Sequence, residues 1–138
     1  MQPTPSPTSN PPDTARRILE AVRAATPTIL GLVVVDHRGQ VQASSGGERQ
    51  GLEALTAFAV GAYELLTRMA EEAGFGASEF TVLRAEAGHI AIHSVRSDLV
   101  LFALADEDAP LGTLSYDLAW CVTQLRERVP EFRDDAPF

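Results

Sequence analysis

The chain has 138 residues, of which 45% are hydrophobic, enough for one globular domain with a substantial core. Its formal net charge is -8 and its 11 Lys and Arg residues are dispersed, which argues against nucleic acid or an anionic membrane as a partner. No stretch approaches the roughly 20 apolar residues that cross a bilayer, so we expect a soluble cytoplasmic protein.

The first twelve residues, MQPTPSPTSNPP, contain five prolines among Thr, Ser and Asn. Such a composition cannot bury enough apolar surface to offset chain entropy, and it predicts a flexible tail. The segment also lacks the basic and apolar regions of a signal peptide. Recognition by a partner as a proline-rich peptide is an alternative, although no aromatic or basic flank supports it. We expect the folded domain to span residues 13–129, followed by an acidic tail over residues 130–138.

The first helix is predicted to begin at Asp13 or Thr14 and to end before Pro27. Residues 29–35, ILGLVVV, form an unbroken and mostly β-branched apolar run, which predicts a strand covered on both faces. The turn Asp36-His37-Arg38-Gly39 predicts a hairpin in which Gly39 adopts a positive φ. The next strand, residues 40–45, alternates polar and apolar side chains, which is typical of a sheet edge.

A long helix is predicted over residues 51–73, because its larger apolar residues recur at helical spacing. We assign these residues to the core-facing side: Leu52, Leu55, Phe58, Ala59, Ala62, Leu65, Leu66, Met69 and Ala73. No residue from 54 to 63 is charged, so Thr56, Val60 and Tyr63 are predicted to form a second uncharged strip facing away from the core. We infer that a partner covers this strip.

Three strands are predicted at residues 79–86, 89–96 and 99–105, and the last of them, LVLFALA, is continuously apolar. The final helix is predicted to begin near residues 108–110, with Asp108 as its N-cap. The two wholly apolar strands belong side by side in the middle, which predicts an antiparallel five-stranded sheet of order 2-1-5-4-3. The long helix then covers one face and the first and last helices cover the other, giving an α/β fold of the α+β type.

Three segments resemble the roadblock family, also called the dynein light chain roadblock or MglB-like family: ILGLVVVDHRGQVQASSG with Gly31 and the Asp36–Gly39 turn, the long helix rich in small residues, and DLVLFALADEDAPLGTLSYDL. The resemblance covers roughly residues 13–128. It implies a homodimer in which the third strands pair into one continuous sheet and the long helices meet beside the seam. The interface predicted on this basis comprises Thr56, Ala59, Val60, Ala62, Tyr63, Phe80, Val82, Leu83 and Arg84.

The same resemblance implies a non-catalytic regulator or scaffold of a small Ras-like GTPase, or a subunit of a motor complex. The residues themselves offer little chemistry for an enzyme. His89 and His93 are about 13 Å apart along a strand, too far to share a metal ion. Asp106, Glu107 and Asp108 could hold a hard cation or simply favour the start of a helix. We therefore expect no catalytic residue, metal or cofactor.

Four residues are candidates for contact with a partner. Tyr116 and Trp120, four residues apart in the last helix, could anchor a partner or pack on a neighbouring helix. Arg38 and Arg49 could reach a nucleotide bound by a GTPase, as an arginine finger does. The alternative function is a PAS-like or profilin-like sensor of a small molecule or peptide. That function needs a concave pocket, whereas the Ala- and Val-rich core predicts tight filling.

Overall fold

Three α-helices and five strands make up the part of the chain that the structure, a computed structural model, describes: residues 11–46 and 52–133. The helices are α1 Pro11–Ala25, α2 Leu52–Glu72 and α3 Leu111–Arg128, followed by a 3-10 helix at Pro130–Phe132. The strands are β1 Ile29–Asp36, β2 Val41–Gly46, β3 Phe80–Ala85, β4 Gly88–Arg96 and β5 Leu99–Asp106. All neighbouring strands are antiparallel and their order is β2-β1-β5-β4-β3, which confirms the predicted topology.

The core consists of two layers, one on each face of the sheet. On one face α2 covers side chains of the two central strands, including Val33 and Phe102. On the other face α1 and α3 pack together over a larger cluster that includes Leu32 and Leu101. Successive side chains of a strand point to opposite faces of the sheet. Because both faces of β1 and β5 are covered by helices, residues on either face must be apolar, which explains the unbroken apolar sequences of these strands.

The turn between β1 and β2 is held by the carboxylate of Asp36, which is buried. Its Oδ1 accepts hydrogen bonds from the backbone N–H groups of Arg38 at 2.9 Å and Gln40 at 3.0 Å. Its Oδ2 accepts a third from Nε2 of Gln42 at 3.1 Å. Gly39 has φ +82°, the left-handed conformation that the sequence predicts at this position.

Prolines mark the starts of α1 and α3, and both starts differ in detail from the sequence prediction. α1 begins at Pro11, so it includes two residues assigned to the tail, and proline is well tolerated in a first helical turn. The predicted N-cap of α3 is wrong, because that position is held by Pro110 and no side chain caps the helix. The backbone N–H of Asp108 instead donates to Oδ1 of Asp106 at 2.9 Å, within the turn after β5.

The chain stays ordered into the core beyond residue 129, so the predicted tail is wrong for residues 130–133. Phe132 is buried in the layer under α1 and α3. The guanidinium of Arg96 donates to the carbonyl oxygens of Glu131 at 3.1 Å and Arg133 at 2.9 Å, and to Asp98 Oδ1 at 2.6 Å. An aromatic anchor and one buried cation therefore fix a segment whose composition is mostly polar. Residues 134–138 lie outside the described part.

Candidate interaction site

The long helix α2 lies on the sheet through Thr56, Ala59, Val60 and Tyr63, and not through Phe58, Leu65 and Met69. Thr56, Ala59, Val60 and Tyr63, at spacing i, i+3, i+4 and i+7, are all buried. Ala59, Val60 and Tyr63 belong to the core layer on this face, and the Tyr63 hydroxyl donates to Oγ of Ser94 at 3.4 Å. The prediction that Thr56, Val60 and Tyr63 face away from the core is therefore wrong.

The physical reason for this orientation lies in the width of the apolar surface of α2. At 100° per residue, the larger apolar residues between Leu65 and Val60 cover an arc of about 220°, so the pattern alone does not define one centre. Glu64 and Arg68 lie on the remaining arc, together with Ala57 and Gly61, and these four positions are exposed. A helix approaches a flat sheet most closely where its side chains are small, and this places Ala59 underneath and turns the bulkier residues sideways.

An open apolar groove of about 410 Å³ runs between α2 and β3 on this face. It forms because α2 contacts mainly β1 and β5, and leaves the same face of the outer strands uncovered. Its lining residues are Leu55, Phe58, Ala59, Ala62, Leu65 and Leu66 from α2, and Thr81, Val82, Leu83, Ile90, Ile92 and Phe102 from the sheet.

Large apolar side chains are exposed along this groove. Phe58 is 74% exposed, Leu65 is 60% exposed and Leu83 is 57% exposed, and Met69, which follows on α2 outside the groove lining, is also exposed. The prediction that Phe58, Leu65, Met69 and Ala73 face the core is wrong, because all four are exposed. A contiguous exposed apolar surface of this kind is characteristic of interaction sites.

Strand β3 forms one edge of the sheet, so its outer side pairs with no other strand among the described residues. Leu83 lies opposite Ile90 on β4 and faces the groove. Phe80 and Val82 are half-buried and pack against the layer under α1 and α3. Arg84 is exposed near the end of the strand. Together the edge and the groove present backbone and apolar side chains to the same region of solvent.

The other predicted contact residues lie in three different places. Ala62 is half-buried and lines the groove. Tyr116 and Trp120 are exposed on α3, where they line a separate groove against α1. Arg38 is exposed on the β1–β2 turn, with Nη2 3.5 Å from Oδ2 of Asp36. Arg49 lies outside the described residues.

The groups that could carry catalysis or bind metal have structural partners. His89 is buried, with Nδ1 3.0 Å from the carbonyl oxygen of Asp106, and the ring of His93 lies 5.8 Å from that of Phe80. Within residues 11–46 and 52–133, no group of three or more His, Cys, Asp or Glu side chains could hold a metal ion. Burial raises the pKa of the Cys121 thiol to about 12, so this thiol is protonated and unreactive at neutral pH.

No helix in the described ranges is long and apolar enough to span a membrane.

Comparisons with known proteins agree with this geometry. The family model of the Roadblock/LC7 domain matches residues 18–105. No curated protein matches the sequence. The gliding protein MglB of Thermus thermophilus has a similar structure, with 19% identity, a TM-score of 0.79, and coverage of 95% of this chain and 99% of that one.

Two further structures are informative. An MglB structure described as having a tetrameric arrangement aligns at 18% identity and a TM-score of 0.81, and covers 96% of this chain and 99% of its own. Profilin of Schizosaccharomyces pombe aligns less well, at 14% identity and a TM-score of 0.60, with coverage of 81% and 96%. At these identities the likeness concerns the fold alone.

Proposed function

Since this chain belongs to the Roadblock/LC7 family, we propose that it acts as a homodimeric, non-catalytic regulator or scaffold of a small Ras-like GTPase. The observation that carries the proposal is the apolar groove between α2 and β3, which lies beside an unpaired strand edge. A second copy of the chain offers the same edge and the same groove. A two-fold axis beside β3 therefore satisfies both features at once.

Pairing of β3 with its symmetry mate would give the open edge the backbone hydrogen bonds that no described strand supplies. The two α2 helices would then lie side by side, so that Phe58, Ala62 and Leu65 of each copy fill the groove of the dimer. Leu83 would lie at the centre of the seam, on the face that carries the groove. Phe80, Val82 and Arg84 would contribute from the strand itself.

The predicted interface residues then divide into two roles. Ala62, Val82 and Leu83 would touch the partner directly, because they line the groove and are at least partly exposed. Thr56, Ala59, Val60 and Tyr63 are buried against the sheet of their own chain and would support the interface from below. The MglB structure with a tetrameric arrangement supports the general idea that this fold self-associates.

The proposed energetics are favourable by a simple estimate. Burial of one large apolar side chain from full exposure contributes about 1.5–3 kcal/mol. Four such side chains, Phe58, Leu65, Met69 and Leu83, are mostly exposed in each copy. Since these side chains are about three-fifths exposed, the eight of two copies together would contribute about 8–15 kcal/mol, which is comparable to the roughly 4–15 kcal/mol that association costs in lost freedom.

The GTPase part of the proposal is tested directly with the Ras-like GTPases encoded in the same genome. Each is purified, loaded with GDP or with a non-hydrolysable GTP analogue, and mixed with the full chain on a sizing column. We expect one nucleotide state of one GTPase to bind. Single-turnover hydrolysis of bound GTP then separates an activator from a scaffold. The absence of a complex with any of them in either state would contradict the proposal.

The alternative function, a sensor of a small molecule or peptide, is favoured by one observation. An open groove of about 630 Å³ lies at the end of the sheet near the C-terminal end of α2, and it contains polar side chains of Tyr63, Ser78, His93 and Arg126. The Arg126 guanidinium is already engaged, since its Nε donates to the carbonyl oxygen of Val95 at 2.6 Å. Thermal denaturation with a library of polar metabolites tests this function, because a ligand of this groove would raise the midpoint.

A further inference from the structure

The last helix, α3, turns an uncharged surface outward over about three turns. Six exposed residues recur there at spacing i, i+1, i+4, i+7, i+8 and i+11, namely Gly112, Thr113, Tyr116, Ala119, Trp120 and Thr123. We call these residues the outer strip of α3. Tyr116 is 71% exposed and Trp120 is 43% exposed. A surface helix normally places charged side chains on the side away from the core, so the outer strip is unusual.

The charged residue within this part of α3 does not interrupt the outer strip. Between residues 111 and 125 the only charged residue is Asp117. It is half-buried, and its Oδ2 accepts a hydrogen bond from the Thr26 hydroxyl at 2.6 Å, so the carboxylate is directed at α1. The outward side of the helix therefore carries only hydroxyl, aromatic and small side chains.

A groove between α1 and α3 lies beside the outer strip. Its volume is about 230 Å³, and its apolar and aromatic lining consists of Ala21, Val22, Ala25, Tyr116 and Trp120. A dry cavity of about 150 Å³ holds one benzene ring, so this groove is large enough for one aromatic side chain. The same surface thus presents a protruding aromatic side chain and a groove of suitable size for one.

The lack of charge makes this surface suited to a second copy of the chain. In a two-fold contact a surface meets itself, so like charges on it would be brought together. This matters in a chain with a net charge of -8. The exposed part of α2 would suffer such repulsion, since Glu64, Glu71 and Glu72 are exposed there. The outer strip of α3 avoids it.

The sizes of the side chains also match when two copies of α3 pack antiparallel about a two-fold axis. With the axis midway between Tyr116 and Ala119, Tyr116 of each copy lies opposite Ala119 of the other. The same axis places Gly112 opposite Thr123, so each larger residue meets a smaller one. The 4-3-4 spacing of these four positions is the spacing at which one helix contacts another along a seam. Tyr116 then lies beside Trp120 of the other copy, at the mouth of its groove.

The extent of this surface fits a weak contact that pairs of dimers would strengthen. The outer strip is about 17 Å long, and α1 and α3 side by side are about 20 Å wide. One contact would therefore bury about 700 Å² from two copies, which is less than the roughly 1,000 Å² of a stable interface. In the proposed dimer both copies turn this surface to the same side of the continuous sheet, because a two-fold axis between antiparallel strands is perpendicular to the sheet. Two dimers that meet through both surfaces would bury about 1,400 Å², a standard interface area. This doubling rests on the proposed dimer, whereas the contact itself does not.

We propose that the outer strip of α3 is a second self-association surface, at which another copy of this chain packs α3 against α3 in antiparallel orientation. Tyr116 of each copy enters the groove between α1 and α3 of the other, and Trp120 loses contact with water. The contact joins dimers into larger assemblies as the concentration rises. It lies on the opposite face of the sheet from α2, so it leaves the groove between α2 and β3 to the first interface.

Sedimentation velocity of the full chain from about 1 µM to about 1 mM measures this assembly. We expect a dimer at low concentration and larger species at high concentration. Ala119→Arg places a charge on each copy where the two helices are closest, and should raise the dissociation constant of this contact at least roughly 100-fold. Ala119 is exposed and arginine is a good helix former, so the variant should fold and remain a dimer. Ala57→Arg is the matched control, and it should assemble like the parent.

The fluorescence of Trp120 reports whether the larger species use this surface, because Trp120 is the only tryptophan in the chain. Its emission maximum should shift to shorter wavelength over the concentrations at which the larger species form. The maximum should stay constant in Ala119→Arg. Larger species without this shift would show that another surface joins the dimers and would overturn the proposal. A parent protein that remains a dimer at the highest concentration would overturn it as well.

Ala119→Arg and Ala62→Arg separate this contact from the proposed dimer interface. Ala119→Arg should remove the larger species and keep the dimer, whereas Ala62→Arg should remove the dimer at low concentration. A dimer that Ala119→Arg dissociates and Ala62→Arg does not would assign self-association to α3 and contradict pairing at β3. An Ala119→Arg protein that assembles like the parent would overturn the contact at α3 and leave the proposed dimer standing.

Discussion

Ala62→Arg is the substitution that tests the proposed dimer most directly. Ala62 is half-buried in the middle of α2 and lines the groove that a second copy would fill. In a single chain the long arginine side chain can extend along the open groove and keep its charge in water, so the fold should be retained. In the proposed dimer the same side chain would be enclosed between two apolar surfaces.

The expected magnitude follows from symmetry. An unpaired charge enclosed in an apolar interface costs on the order of 3 kcal/mol, and the two-fold axis brings two of them together. A total of about 6 kcal/mol would raise the dissociation constant of the dimer by roughly 10⁴-fold. A dimer with a nanomolar dissociation constant would then be a monomer at micromolar concentration, whereas the free energy of unfolding of the single chain should change by about 1 kcal/mol or less.

Sedimentation velocity over a range of concentrations measures the oligomeric state, and thermal denaturation checks the fold. Ala57→Arg is the matched control, because it makes the same change in the same helix on the solvent-exposed side. We expect the parent and Ala57→Arg to be dimers and Ala62→Arg to be a folded monomer. A folded Ala62→Arg protein that remains as dimeric as the control would refute the proposed interface.

Three further predictions concern the single chain. Ala59→Arg should unfold the chain or lower its melting temperature by more than about 10 °C in a thermal scan. Ala59 is only 3% exposed on the side of α2 that faces the sheet, and a buried charge costs several kcal/mol. Arg96→Ala should lower the free energy of unfolding in urea by about 2–3 kcal/mol, because it removes hydrogen bonds to Asp98 and to the carbonyl oxygen of Glu131. The Cys121 thiol should resist Ellman's reagent at pH 8 until the protein is unfolded, and its raised pKa of about 12 should make its contribution to stability decline as the pH rises from 9 towards 12.

The sheet could be predicted from the sequence because its signals are local and strong. The apolar runs at residues 29–35 and 99–105 leave few alternatives to two adjacent central strands. Short turns then attach their neighbours as hairpins, and Gly39 marks one of them with a positive φ. The resulting order of strands is the one observed.

The orientation of α2 could not be predicted by hydrophobicity alone, since its apolar arc is too wide to have one centre. The deciding factor is side-chain size, because Ala59 permits close approach to the sheet where Phe58 would not. The charged positions offered a partial signal, as Glu64 and Arg68 mark the solvent-facing arc.

The C-terminal segment was mispredicted for a different reason, which is that its stability comes from contacts distant in sequence. Residues 130–133 look like a polar tail, yet Phe132 is buried and Arg96 binds two of the backbone carbonyl groups. A buried arginine that is 35 residues away leaves no periodic signal in the segment that it holds. Only an isolated aromatic residue among charged neighbours could have suggested an anchor.

The two open edges of the sheet differ in a way that selects one of them for pairing. The β2 edge has polar Gln42 and Ser44 on its strand, and α1 packs beside it. The β3 edge has Leu83 exposed next to an empty apolar groove. Pairing at β2 would gain backbone hydrogen bonds but would leave the apolar groove exposed to water. Pairing at β3 would gain the same kind of hydrogen bonds and would also bury the groove. Because apolar burial supplies most of the free energy of association, β3 is the edge at which a second copy should bind.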